Sequence, residues 1–347
     1  MTISLTATTI YKHQMRPFIY SDLKEECAFE GVRLRKNLKG ALELAKVTYA
    51  PSFMAAPDIF HTICPLRESR ITEECKESGV KVVVSAFFAS HDAACSFLEE
   101  EKKGELSLTR VGLKTLERSD LIFVPSDEAK AYLSSFDLPG KIAVITPGIN
   151  LTRFDVIDPL EADIFRSYAR LQKGQKYVLS GGNYEDIEEF ERLSEIAKNH
   201  RDIRFFYFGI SKKGPLSPRV RKHLSKTYGE NISFCSLVED DVFRSAMSGA
   251  SAFFAFGNRP SQLSVLEAYS ARVPVYEWKN KRFGNLSVNG KTGWVYDDIT
   301  KIDECFSLWC QSEGNPTIIE AYEYAKHHSL RELGKELQES YKDILQD

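Results

Sequence analysis

The chain has no C-x-x-C pair: its seven cysteines, Cys27, Cys64, Cys75, Cys95, Cys235, Cys305 and Cys310, are odd in number and scattered. That pattern excludes a paired disulfide framework and a cysteine zinc site, and it suits a reduced cytosol. Nowhere do eighteen apolar residues run together, so no membrane span is expected. The opening residues, MTISLTATTIYKHQMRPF, lack a basic stretch followed by an apolar one, so no secretory leader is expected either. Neither sign of charge dominates, and a formal net charge of −3 over 347 residues gives no reason to expect nucleic acid. Low-complexity tracts and solenoid repeats are missing too.

What is present is 43% hydrophobic and 27% charged content, ordinary for a globular chain of two domains. Short β-branched or aromatic runs alternate with amphipathic stretches, as in parallel α/β folds. The first half offers ISLTATT, KVTYA, DIFHTI, VKVVVSAF, DLIFVPS and KIAVITPG as strands, with helices in SDLKEECAFEGVRLRKNLKGALELAK and LTRVGLKTLER. The second half restarts with KYVLSGG, the helix EDIEEFERLSEIAKNH, IRFFYFG, NISFCSL, the helix DDVFRSAMSGA, SAFFAFG, VPVYEW and TGWVYDD. The expected organisation is an N-terminal Rossmann-like domain at 1–153, a hinge at 154–175, a second such domain at 176–316, and helices at 317–347 that pack across both. Two such domains facing each other leave a cleft, a favoured ligand site.

The stretch PSQLSVLEAYSARVPVY, residues 260–276, places Glu267 in the first turns of a predicted helix, with Ser261 and Ser264 as caps and Pro274 opening a strand. Ligands of α/β sheets bind outside the carboxyl ends of the strands. Glu267 is therefore either a grip on something polar or a solvated or salt-bridged helix residue.

Four stretches, in order, resemble the retaining glycosyltransferases of family 4, which have the GT-B fold: DLIFVPSDEAKAYL, KIAVITPGINLTRF, YVLSGGNY, and SVLEAYSARVPVY followed by NGKTGWVYD. FYFGISKKGPLSPRVRKHL followed by GENISF is most similar to the bacterial subgroup that glycosylates diacylglycerol lipids. The resemblance implies two Rossmann-like domains and a nucleotide-sugar donor, UDP-glucose or UDP-galactose, with no further cofactor; no metal is expected, because no acidic ligand pair of the kind metal-dependent sugar transferases use stands at the strand ends. It implies that Glu267 accepts hydrogen bonds from the donor ribose, beside Ser264, Val265 and Leu266.

Three positions depart from that pattern. A second glutamate is expected eight residues before Glu267, where this chain has Arg259, a cation that cannot accept hydrogen bonds from sugar hydroxyls. Arg259 then faces a phosphate or an anionic sugar, or is a solvated loop residue. The cations expected after YVLSGG are replaced by Glu185, Asp186, Glu188 and Glu189. Gly181 and Gly182 either present backbone amides to a phosphate or form a plain turn. Replacement cations are offered by Lys212, Lys213, Arg219, Arg221 and Lys222, or these form a solvated basic face. The reaction-centre histidine falls at Phe87, leaving His91 with Asp92, or His61, as substitutes or as non-catalytic histidines.

The basic stretch 31–46, with Arg33, Arg35, Lys36, Lys39 and Lys46 among Val32, Leu34, Leu38, Leu42 and Leu44, suits either an anionic membrane surface or a core-facing helix. The expected activity is hexosyl transfer to a membrane glycolipid or envelope glycan, in the cytoplasm or at the inner face of the membrane. The alternative is a catalytically silent protein that partners an active member of the same family.

Overall fold

Buried apolar runs set the strands. Leu121–Val124 is Leu-Ile-Phe-Val with every residue buried, as a strand covered on both faces requires. The computed structural model describes residues 15–20, 30–67, 70–88, 96–100, 106–155, 159–183, 187–210, 230–235, 240–259, 262–311 and 315–346. Among them β1 (Pro17–Tyr20), β2 (Ile59–Thr62), β3 (Lys81–Ser85), β6 (Leu121–Val124) and β7 (Lys141–Val144) form a parallel sheet in the order β1-β2-β3-β6-β7. β4 (Leu98–Glu100) and β5 (Leu106–Leu108) make a small antiparallel pair beside it.

The second sheet runs from β8 (Tyr177–Asn183), β9 (Arg204–Ile210) and β10 (Ile232–Cys235) to β11 (Ala252–Ala255), β12 (Val275–Trp278) and β13 (Trp294–Tyr296). Its order is β10-β9-β8-β11-β12-β13, all parallel. The order reverses between β8 and β11, and that switch point is where an open α/β sheet leaves a crevice.

Helices cover both sheets. In chain order they are α1 (Glu30–Leu44), α2 (Arg70–Glu77), α3 (Arg110–Leu116), α4 (Asp127–Leu133), α5 (Thr152–Asp155), α6 (Pro159–Tyr168), α7 (Ile187–Asn199), α8 (Asp240–Ser248), α9 (Gln262–Ser270), α10 (Ile299–Gln311), α11 (Thr317–His327) and α12 (Leu330–Gln346). Thr109 and Ser126 cap α3 and α4, their hydroxyls accepting the amides of Gly112 and Ala129. In α12 the buried residues Leu330, Leu333, Leu337, Tyr341 and Ile344 recur at helical spacing and form one apolar stripe. α11 packs on α9, whereas α12 packs on α1. One hydrophobic cluster therefore joins Ile19, Val83 and Leu121 of the first sheet to Leu179, Phe253 and Val275 of the second.

Several strand and helix expectations change. KVTYA forms no strand, because Lys46 turns left-handed (φ 57°) and the Val47 amide closes onto the Leu42 carbonyl at 2.9 Å, so the segment ends α1. The strand position is taken by Pro17–Tyr20, where a proline at the first residue is tolerated. ISLTATT lies outside the described residues. The helix carrying Glu267 starts at Gln262, so Ser264 sits inside its first turn and is no cap.

Candidate functional site

α9 begins at the switch point, three residues after Arg259, and all nine of its residues are buried. A helix leaves the amides of its first turn unpaired, and its dipole is positive there. One of these amides is taken: Leu263 N–H donates to Glu30 Oε1 at 3.0 Å. Glu30 is the first residue of α1, so a carboxylate from the N-terminal half fills the positive end of a helix in the C-terminal half.

One turn along α1, Arg33 reaches Glu267. Its Nε lies 2.8 Å from Oε1 and 3.1 Å from Oε2, and its Nη2 lies 2.8 Å from Oε2. The same Nη2 donates to Ser264 Oγ at 2.9 Å, and the guanidinium stands 4.3 Å over the Phe243 ring. Arg153 adds a second cation, its Nη1 4.0 Å from Glu267 Oε1. Glu267 is only 1% exposed and Arg33 3%, so the pair is a desolvated, forked ion pair. Burial, with Glu267 nearby, raises the Glu30 carboxyl to about 7, against the pull of Arg33 and the Leu263 and Ser264 amides.

The expected residues are distributed as follows. Glu267 and Ser264 meet at this point, held by the protein itself. Val265 and Leu266 are fully buried in the helix and contribute packing. Gly181 and Gly182 are not in a turn: both lie within β8, paired with Phe208 and Gly209 of β9. A Cβ on Gly181 would come within 2.9 Å of the Phe208 carbonyl, so the close approach of that strand accounts for the glycine. Arg259 donates to the Leu98 carbonyl of β4 at 3.2 Å, bridging to the N-terminal half. Glu188 pairs with Arg192 at 2.8 Å and the buried Glu189 accepts the Tyr207 hydroxyl at 2.8 Å, so these two acids have their own partners. Lys212, Lys213, Arg219, Arg221, Lys222, His91, Asp92, Glu185 and Asp186 lie outside the described residues.

His61 is fully buried, Nδ1 2.5 Å from the Tyr341 hydroxyl and Nε2 2.7 Å from Ser85 Oγ. Burial lowers its pKa to about 3, so it is a neutral core residue that ties α12 to the first sheet. Phe87, at the expected histidine position, is buried. The membrane expectation for stretch 31–46 is corrected for its two arginines: Arg33 and Arg35 are buried, and Val32, Leu34, Leu38 and Leu42 face the core. Apart from the Glu267 cluster, a cavity of about 470 Å³ opens between Leu106 and the segments after β11 and β12, with Asn258, Trp278, Lys279, Lys281 and Asp297 in its wall and none of Glu30, Arg33, Arg153 and Glu267 among its lining residues.

No family model and no curated protein matches the chain by sequence. Solved structures do match. HepE of Anabaena, in complex with UDP-glucose, superimposes with a TM-score of 0.69 at 12% identity, over 95% of this chain and 100% of HepE. The fold is GT-B. WaaG, a glycosyltransferase involved in lipopolysaccharide biosynthesis, gives 0.63 at 15% identity over 95% and 99% of the two chains. Sucrose-phosphate synthase from Thermosynechococcus elongatus gives 0.63 at 16% over 89% and 79%. GT-B is the architecture of nucleotide-sugar glycosyltransferases, two Rossmann-like domains about a cleft.

Sequence reasoning singled out Glu267 but missed its partners. Arg33 stands 234 residues away and reads locally as one of five cations on a basic helix. Glu30 carries no motif of its own, and Arg153 stands in the stretch KIAVITPGINLTRF without being singled out as a partner of Glu267.

Proposed function

We propose that the chain is a retaining glycosyltransferase that moves a hexosyl unit from a nucleoside diphosphate sugar, UDP-glucose or UDP-galactose, to a membrane glycolipid or envelope glycan. The observation that carries this reading is the start of α9 at the switch point, where the Leu263 amide meets the Glu30 carboxylate while Arg33 and Arg153 stand at the Glu267 carboxylate. That is the chemistry of a phosphate seat. The cations missing after β8 are supplied in this reading by α1 and α5 of the other half. In the reaction the bond from the sugar C1 to the phosphate oxygen breaks and one from C1 to the acceptor oxygen forms on the same face. The acceptor proton leaves with the released diphosphate, whose growing charge the guanidinium groups stabilise. Glu267 faces the donor ribose, and the cavity walled by Trp278 and Lys279 receives the acceptor side. HepE was solved with UDP-glucose and WaaG is involved in lipopolysaccharide biosynthesis, which supports these choices of donor and acceptor class.

A second reading, a silent partner of an active glycosyltransferase, is favoured by the engagement of Glu267 with Arg33. Incubation with radiolabelled UDP-glucose or UDP-galactose at millimolar concentration and diacylglycerol or glucosyl-diacylglycerol separates the two. Labelled glycolipid with the donor's anomeric configuration is the expected product. Absence of both transfer and donor hydrolysis, where an active GT-B enzyme works in the same assay, sinks the enzyme reading and leaves the partner reading.

A further inference from the structure

The cavity between Leu106 and the segments after β11 and β12 differs from the Glu267 cluster in that its charges do not balance. Lys279, Lys281 and Arg282 line it, against one carboxylate, Asp297. Lys281 pairs with Asp297 at 3.3 Å. Arg282 bridges the two halves, donating to the Leu106 carbonyl with its guanidinium 5.4 Å from the centre of the Tyr132 ring. The exposed Lys279 ammonium makes no hydrogen bond or salt bridge among the described residues, so the wall holds positive charge that Asp297, already engaged, does not take up. We propose that this cavity binds an anionic sugar of the acceptor, a hexose bearing a phosphate or a carboxylate.

The wall that carries these cations is fixed from three sides. Asn280 stands between the two lysines; its Oδ1 accepts the amides of Arg282 and Phe283 at 3.2 and 2.9 Å, and its Nδ2 donates to the Asn258 carbonyl at 2.9 Å, which ties the segment after β12 to the segment after β11. The Lys279 amide donates to the Tyr296 carbonyl of β13 at 2.9 Å. Phe283 is buried in the N-terminal core, so the same segment is anchored in the other half of the molecule. Cations on a fixed segment lose less freedom on meeting an anion than cations on a loose one. The volume, about 470 Å³, is that of a small-molecule pocket and far exceeds what a lone phosphate or carboxylate fills. Leu106 and the Trp278 ring, which the Arg192 guanidinium covers at 4.2 Å on one face, supply apolar wall for the body of a sugar. The cavity opens at the carboxyl ends of β11 and β12, the edge where ligands of such sheets bind, and both halves line it.

This inference rests on the glycosyl-transfer reading above, and its test separates the two. Calorimetry is run on the full chain and on Lys279→Ala and Lys279→Glu, each variant first shown to melt cooperatively, with glucose 6-phosphate, glucuronate, glucose and inorganic phosphate. The titrations are repeated with UDP present, and UDP is titrated by itself. Both charged sugars are expected to bind about tenfold or more tighter than glucose and than inorganic phosphate. Lys279→Ala should weaken them by about two- to fivefold, the range of a solvent-accessible ion pair. Lys279→Glu should weaken them by about tenfold or more, because reversing the charge adds repulsion. Equal affinity for glucose and glucose 6-phosphate, unchanged affinity in Lys279→Glu, or no binding of either charged sugar overturns the proposal. Inorganic phosphate bound as tightly as the charged sugars leaves an anion site and overturns the sugar. Competitive displacement of the charged sugars by UDP gives the cavity to the donor and overturns the acceptor assignment. Charged sugars that bind through Lys279 while UDP does not bind at all leave the anionic-sugar site standing and sink the donor reading.

Discussion

At the scale of the residue, the buried groups Glu30 and His61 pull stability in opposite directions with pH. Glu30 has its carboxyl raised from 4.5 to about 7 by burial, so the folded state holds the proton more tightly than the unfolded chain between those values. Its contribution is full below pH 4.5 and is lost as pH rises through 7, by at most about 3 kcal/mol. His61 has its pKa lowered from 6.5 to about 3, so its contribution is present above pH 6.5 and is lost as pH falls toward 3. Between pH 4.5 and 6.5 the two effects oppose each other. Across that window the melting temperature is expected to rise more steeply with pH, or fall less, in Glu30→Gln than in His61→Gln, the raised carboxyls of Glu277 and Glu336 being common to both variants. Parallel slopes in the two variants would refute this assignment. The groups facing Glu30 among the described residues are Arg33, Glu267 and, through Glu267, Arg153.

At the scale of the element, the α1 and α12 contact depends on one missing side chain. A Cβ on Gly334 would stand 2.2 Å from the Ala41 carbonyl of α1, a backbone atom that cannot swing aside. Gly334→Ala raises helix propensity, which alone would stabilise α12 by somewhat under 1 kcal/mol. The collision outweighs it, and urea unfolding is expected to show a net loss of about 2 kcal/mol or more. A neutral or stabilised variant would mean that the two helices pack less closely. α12 was legible as a helix from its apolar stripe, but the need for glycine on one side of that stripe depends on which helix it meets. The same holds for Gly181, which the approach of β9 explains and a turn does not.

At the scale of the whole molecule, the halves are joined by polar and apolar links of different kinds. Phe283, after β12, packs in the N-terminal core 5.0 Å from the Phe88 ring and 5.4 Å from Tyr132, and Ser126 Oγ donates to its carbonyl at 2.7 Å. Arg282 also donates to the Leu106 carbonyl. Arg33 and Glu267 form the buried polar link. Arg33→Ala would leave Glu267 desolvated with Arg153 at 4.0 Å as its remaining cation, and removing one partner of a buried pair costs about 3 to 5 kcal/mol. Arg33→Lys should recover little, because an ammonium cannot supply the fork that spans both carboxylate oxygens. Equilibrium unfolding in urea measures both variants, and a loss under about 1 kcal/mol for Arg33→Ala would show that the pair contributes little net stability. No helix among the described residues is long and apolar enough to cross a membrane.

The alternation of buried runs with amphipathic helices was readable along the chain, and with it two parallel α/β domains, because strand and helix periods are written in neighbouring residues; the GT-B class was implied by the resemblance of four motif stretches and not by period. DLIFVPS, VKVVVSAF and SAFFAFG became central strands since such runs suit no half-solvated element. Glu267 was also visible as a carboxylate at the mouth of the second sheet. What it binds was not visible, because its partner lies 234 residues away and a guanidinium has the same local appearance on a core face as on a solvated one. Only the packing of α1 against α9 decided that Arg33 and Glu30 point into the site. A local pattern fixes which face of an element is apolar; the charge that ends opposite another charge is set by how the two sheets come together.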